Sequence, residues 1–398
     1  MNKNTLIIGF MLFAFFFGSG NLIFPPKLGF ESGQFFIPAI LGFILTGVGL
    51  PLVGLMIGSK YDGGYQSALA KIHPWFSVAL LSAIYLTIAP FFVIPRTGAV
   101  AYEMAVVPFL DTPSWVNLLI FTVIYYAISL WLSISPNKLV DRIGSVLTPV
   151  LLVTVLALIV MSFVKLGGNP ASVATDGYQG KAFFVGFLEG YNTMDMIASV
   201  AFSVIVMSAI SQKLGERANL FVETTKAGLI ATSALALIYL SLGWIGNHLP
   251  LSADELTQVA DKGQNIGTFI LNKSAVLGFG SAGGVVLGLI ASLACLTTTV
   301  GLTVSASEYF HETFPKIGGV NLSYKTYVII FTLIGFVLAN QGLSAVISKS
   351  IPVLLVLYPI TMTAMILLGF NIIKPLPVFA KRVSLGLVTV VSVLSVAG

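Results

Sequence analysis

Charge is scarce in this sequence. Of 398 residues only 9% are charged, against 57% hydrophobic, and the mean hydropathy is +0.98. A soluble domain carries about 25% charged residues to cover its surface. A chain without that covering must face lipid, which makes it a polytopic membrane protein. Cysteine is nearly absent too. The single Cys295 lies inside an apolar run, so an intrachain disulfide is excluded. The three histidines, His73, His248 and His311, are far apart and match no metal-ligand spacing. The net charge of +5 comes from basic residues scattered through short loops, which is no nucleic-acid footprint. No nucleophile with its base and no metal cluster falls within the apolar runs, and no filter-like loop repeats. An intramembrane enzyme and a channel are therefore both disfavoured.

Apolar runs long enough to cross a bilayer fall near 5–29, 34–58, 75–108, 114–134, 144–165, 182–211, 227–247, 275–308, 326–341, 343–371 and 383–398. A span needs roughly 20 residues, so 75–108 and 275–308 should tilt or project. The last run is short and the chain ends inside it, so the natural C-terminus is expected further on. With a cytoplasmic N-terminus the inner loops hold Lys3, Lys60, Lys71, Lys138, Arg142, Lys213, Arg217, Lys226, Lys316, Lys325, Lys374, Lys381 and Arg382. The outer side then holds Lys27, Lys165, Lys181, Lys262, Lys273 and Lys349, and this asymmetry predicts the N-terminus inside. The polar stretch ADELTQVADKGQ, in an outer loop spanning about 247–274, predicts a short surface helix.

Two apolar segments are interrupted by poor helix formers. The first reads FAFFFGSGNLIFPP, with Gly18, Ser19, Gly20 and Asn21 in one run and Pro25 and Pro26 after it. A signal peptide has a similar outline, but one lysine and many later spans argue against it. The sixth segment reads FFVGFLEGYNTMDMIASVAF, interrupted at Glu189, Gly190, Tyr191, Asn192 and Thr193. The breaks lie five segments apart, so a five-helix duplication would invert the second copy. Paired interruptions in two inverted halves point to a transporter's central site. Backbone groups freed at mid-membrane are tolerable only beside a polar cavity or an ion.

Each break carries cap chemistry. Ser19 or Asn21 is expected to cap the second half of helix one. Asn192 or Thr193 should cap that of helix six, with Asp195 in its first turn as cap and dipole partner. Such half-helix N-termini suit a substrate carboxylate. Glu189 ends the first half of helix six, where the dipole disfavours a carboxylate, so it must be protonated or paired. Arg96 and Glu103 share one helix face and are expected to form an internal pair or gate.

GSGN followed by FPP, EGYNTMD in segment six, and the length and span count resemble the bacterial branched-chain amino acid carrier family. The resemblance covers essentially the whole chain. It implies an all-α, leucine-transporter-like fold of five-plus-five inverted repeats, with broken helices one and six. One transport domain would cover 1–371, with repeats at about 1–166 and 181–371, and peripheral C-terminal helices would begin in 372–398; a twelfth span is usual there. It also implies sodium-coupled symport of leucine, isoleucine and valine across the bacterial cytoplasmic membrane, with no cofactor besides the coupling ion. A proton-coupled carrier or exchanger of the same fold is the alternative, with Glu189 as proton site.

Similarity to sodium-dependent leucine carriers sets Leu296-Thr297-Thr298-Thr299 beside helix one. One sodium would then be held by the carbonyls of Ala14, Phe17 and Ala294 and the hydroxyls of Thr297 and Thr298. A second sodium is disfavoured, since the position that would supply its helix-six hydroxyl is Gly186. The substrate carboxylate is expected at N–H groups around Gly18, Gly20 and the helix-six break, and its ammonium at carbonyls near Phe16 and Glu189. Phe16, Phe187 and Tyr191 would wall the aliphatic side chain, with Ser19, Asn21, Gly190 and Asn192 completing the site.

Overall fold

The computed structural model describes residues 2–135, 143–215 and 217–397. In chain order the helices are α1 (Lys3–Phe16), α2 (Ser19–Ser32), α3 (Phe36–Ile44), α4 (Leu50–Gly58), α5 (Gly64–Ala70), α6 (Pro74–Leu86), α7 (Val93–Ala105), α8 (Trp115–Ser133) and α9 (Thr148–Leu166). There follow α10 (Ala182–Glu189), α11 (Asp195–Leu214), α12 (Leu220–His248), α13 (Ala253–Asp261), α14 (Ile266–Phe279), α15 (Gly283–Thr313), α16 (Tyr324–Ala339), α17 (Leu343–Ile373) and α18 (Val378–Ala397). The only strands among the described residues form a two-residue ribbon, Lys316–Ile317 against Val320–Asn321. By length and composition, nine helical segments among the described residues can cross a membrane. The chain is an all-α, multi-pass membrane protein.

Its surface explains the scarcity of charge. Exposed large hydrophobics such as Ile120, Val153, Leu237 and Leu333 stand on the outer faces of long helices, where lipid replaces water. Inside, buried hydrophobic residues from Ile8 to Leu385 form one continuous cluster. The helix α18 packs along α17.

Several segments depart from the sequence expectation. The apolar run 275–308 is not one helix. It is split by Gly280, whose φ of 58° favours glycine, so that α14 stands apart from α15. The runs 34–58 and 75–108 each contain a wider π-helical turn, at Leu45–Gly49 and Thr87–Phe91. Pro90 lies in the second, where a missing N–H loosens the ladder. The helix α2 continues through Pro25 and Pro26. The expected surface helix in ADELTQVADKGQ is present as α13. Lys138 and Arg142, counted toward orientation, lie outside the described residues.

Candidate functional site

Helix one breaks between α1 and α2, at Phe17 (ψ 81°) and Gly18 (φ −120°, ψ −153°). Ser19 is not the cap, because it already lies in the first turn of α2. The cap position is Gly18, and Asn21 reaches back to accept the Gly18 N–H on Oδ1 at 3.1 Å. In an unbroken helix that N–H would bond the Ala14 carbonyl. The Ala14 carbonyl is instead met by two hydroxyls of α15, donated by Thr297 at 3.0 Å and Thr298 at 3.2 Å. Thr297 also lies 3.0 Å from the Ala294 carbonyl. Four of the five oxygens expected around a cation thus converge in one buried spot, beside the Phe17 bend. Thr299 faces away, hydrogen-bonded to Thr97 at 2.6 Å and Tyr125 at 2.8 Å.

Helix six breaks differently. After α10 the chain makes a 3₁₀ turn over Gly190–Thr193. It enters α11 through Met194, the only described non-glycine residue with positive φ (66°). Met194 holds the cap position expected of Asn192 or Thr193. The Thr193 hydroxyl accepts the Asp195 N–H at 3.3 Å. Asp195 does lie in the first turn, yet its carboxylate has side-chain partners. Its Oδ2 accepts from Asn21 Nδ2 at 2.6 Å and from the Tyr239 hydroxyl at 2.8 Å, and Asn21 also bonds Tyr239.

Arg96 ties the two breaks together. The expected Arg96–Glu103 pair does not form. Glu103 accepts the Thr268 hydroxyl at 2.7 Å, while the Arg96 guanidinium, 1% exposed, crosses between helices one and six. Its Nε donates to Ser19 Oγ at 3.0 Å, Nη1 to the Asn192 carbonyl at 2.6 Å and Nη2 to the Thr193 carbonyl at 3.3 Å. Gly20 gives this side chain its path: a Cβ there would lie 2.7 Å from Nη2 and 3.2 Å from the Thr193 Cα. The residue Arg96 was conspicuous in the sequence as the arginine within a span. Its partners were not, because they are backbone carbonyls freed by a turn.

Around these groups lies a cavity of about 10 Å³, room for about one water. Phe16, Gly18, Ser19 and Asn21 line it, with Val93, Arg96, Asp195, Phe202, Thr298 and Leu302 among the other walls. The remaining expected residues of segment six lie beyond it. Glu189 is paired with Lys27 of α2 at 3.2 Å and accepts Asn192 Nδ2 at 3.0 Å. Phe187 packs on Tyr191, which stacks on Tyr358 at 4.1 Å between ring centroids. A Cβ at Gly190 would strike Thr46, and one at Gly186 would strike the Ala39 carbonyl at 1.9 Å. The missing hydroxyl at Gly186 therefore has a packing cause, the close approach of α10 to α3.

The sequence profile of the family described as "Branched-chain amino acid transport protein" matches residues 1–398. A "Putative branched-chain amino acid carrier protein" of Staphylococcus saprophyticus is 52% identical over 398 residues, covering 99% of this chain and 88% of that one. Proteins of the same name from Staphylococcus aureus are similar as well. That of strain USA300 is 49% identical and that of strain MRSA252 is 48% identical, each over 400 residues, with 100% of this chain and 88% of theirs covered. The match spans both broken helices, the arginine between them and the threonines of α15, and by it the chain belongs to the branched-chain amino acid transport protein family.

Proposed function

We propose that this chain is a sodium-coupled symporter carrying leucine, isoleucine and valine across the bacterial cytoplasmic membrane, with its N-terminus inside. The fold reading is leucine-transporter-like, with inverted repeats at about 1–166 and 181–371 forming one transport domain. The observation that carries the sodium assignment is the Ala14 carbonyl. The break strips it of its helical partner, and two hydroxyls from a distant helix converge on it. Carbonyls of Ala14, Phe17 and Ala294 with hydroxyls of Thr297 and Thr298 make an all-oxygen, uncharged ligand set. Such a set suits a hard monovalent cation that must also leave.

The substrate occupies the cavity between the breaks, against Phe16, Gly18, Ser19, Gly20 and Asn21. Phe187, Glu189, Gly190, Tyr191 and Asn192 form its rim. The walls come from α2, α7, α11 and α15, separate elements that can part to admit a side chain. Leucine uptake into proteoliposomes tests the reading. It should require an inward sodium gradient and be inhibited by isoleucine and valine. Uptake driven by an inward proton gradient without sodium would favour the proton-coupled alternative, for which the enclosed acid Asp195 is better placed than the Lys27-paired Glu189.

A further inference from the structure

The cavity between the breaks holds one basic and one acidic side chain, and they are not paired with each other. Arg96 is 1% exposed and Asp195 3% exposed. Both line the same cavity, yet the described ion pairs include none between them. The guanidinium carries five N–H donors in a planar fork, and its three hydrogen bonds all go to uncharged oxygens. Donors remain for an anion, and a fork of this shape matches a carboxylate. The Thr193 hydroxyl is a neighbour of the Asp195 carboxylate, and the two hydrogen bonds from Asn21 and Tyr239 both land on Oδ2. Oδ1 takes part in neither. The buried cation and anion act on each other without a direct ion pair, and each keeps room for a ligand group of opposite sign. A zwitterion set between them meets both at once and adds no net charge to the membrane interior.

The lining also offers an apolar side, which suits the aliphatic end of such a ligand once the walls part to admit it. Phe16 and Phe202, with ring centroids 5.3 Å apart, form an apolar wall with Val93 and Leu302. Meanwhile the Gly18 N–H, one expected contact for the carboxylate, is already taken by Asn21. We infer that Arg96 and Asp195 are the two poles of the amino-acid site: Arg96 takes the substrate's carboxylate, Asp195 its ammonium, and the branched side chain packs on Phe16, Val93, Phe202 and Leu302. This deepens the carrier reading and rests on it.

Matched deletions of charge from protein and ligand test the assignment. Equilibrium binding to the purified full chain in nanodiscs, by competition with radiolabelled leucine, would use three ligands. Leucine has both charges, 3-methylbutylamine lacks the carboxylate and 4-methylpentanoate lacks the ammonium. For wild type each deletion should weaken binding about a hundredfold, the worth of a charged hydrogen bond. In Arg96→Gln the amine should bind no worse than leucine, while the acid still suffers. In Asp195→Asn the pattern should reverse. Arg96→Lys, which keeps the charge, should retain the wild-type ranking. Since Arg96 also braces both breaks, a purely structural role would weaken all three ligands alike in every variant, and that result overturns the assignment. Should Arg96→Gln fail to fold, as read by thermal melting, the Asp195→Asn and Arg96→Lys arms decide alone. A wild-type protein that binds no leucine, with or without sodium, overturns the carrier reading and the poles with it. Wild-type leucine binding without this pairing of variant and ligand overturns the poles only.

Discussion

The two broken helices solve one problem by opposite means. Interrupting a helix inside a membrane strands backbone groups that cost several kcal/mol each when unpaired. Helix one is interrupted over two residues, and its freed carbonyl at Ala14 is satisfied by neutral hydroxyls from Thr297 and Thr298. Helix six is interrupted over a longer 3₁₀ turn, and its freed carbonyls at Asn192 and Thr193 are satisfied by a permanent cation, Arg96. A hydroxyl can rotate to offer its lone pairs, so the first break can exchange its partner for an ion. A guanidinium has no acceptor to offer and stays charged. On the proposed sodium reading the first break is the exchangeable one and the second the fixed one, which suits one to a travelling cation and the other to a standing anchor.

The largest effect should come from a change that wedges the breaks apart. In Gly20→Leu the new Cβ would sit 2.7 Å from Arg96 Nη2 and close to the helix-six backbone. Arg96 must then leave Ser19 and the two carbonyls, and leucine binding should be lost. Retained binding at wild-type affinity would mean that the contact between the breaks is dispensable.

A smaller effect should follow at the exchangeable break. Thr298→Ala removes one hydroxyl from the Ala14 carbonyl and should raise the sodium half-saturation of uptake about tenfold, near 1.4 kcal/mol. The neighbour Thr299 bonds Thr97 and Tyr125 instead, so Thr299→Ser should leave the sodium dependence as it is. If both variants behave alike, the cation does not sit at the Ala14 oxygen.

Next comes the ion pair on the rim. Lys27 and Glu189 join α2 to α10 across the breaks, at 27% and 20% side-chain exposure. Partial exposure limits such a pair to about 0.2–1 kcal/mol, so Glu189→Gln should slow transport by at most about fivefold. Lys27→Glu combined with Glu189→Lys should recover part of that loss, as a coupled pair requires. An abolished transport that the swap leaves unrescued would give Glu189 a direct part in coupling.

Both breaks were legible because their cause is local: Gly18, Ser19, Gly20 and Asn21 in one segment, and Gly190, Tyr191 and Asn192 in the other, are poor helix formers. What each break bonds to was not legible, because the partners come from far along the chain. Asn21 belongs to the same turn and could have been assigned as the group that reaches back to Gly18, but Ser19 is an equally good cap by type. Arg96 looked like half of a pair with Glu103, since a shared helix face is a sequence-level property. Its true partners, 96 and 97 residues away, depend on how α7 packs between the breaks. Tyr239, which holds Asp195, carried no mark at all in the middle of an apolar helix. The threonines of α15 were found only through a family likeness; on its own, a threonine in a membrane helix bonds its own backbone, as Thr299 does with Cys295.

The smallest effect should lie far from either break, in the surface helix α13, where no backbone is stranded in lipid. Ser252 caps it by accepting the Glu255 N–H at 3.2 Å, and Glu255 Oε2 accepts the Ser252 N–H at 2.8 Å in return. Lys273 of α14 reaches the same carboxylate at 2.7 Å and the Pro250 carbonyl at 2.8 Å. The Lys273 contact, and after it the Ser252 N–H, holds the Glu255 carboxyl below its ordinary value of 4.5. A carboxylate whose pKa is lowered by folding contributes stability that is full above the unfolded value and lost as pH falls through the folded one. At 31% exposure the pair with Lys273 is screened by water, so its worth is about 0.5 kcal/mol. The protection factors of the 253–261 amides, with the intrinsic pH dependence of exchange divided out, should therefore fall as the pH drops below the carboxylate range, and in Glu255→Gln that fall should vanish. Lys273→Met should quicken exchange about twofold at neutral pH and leave leucine uptake unchanged. Uptake that fell with Lys273→Met would tie this helix to the transport cycle and undo its use as the quiet reference for the two breaks.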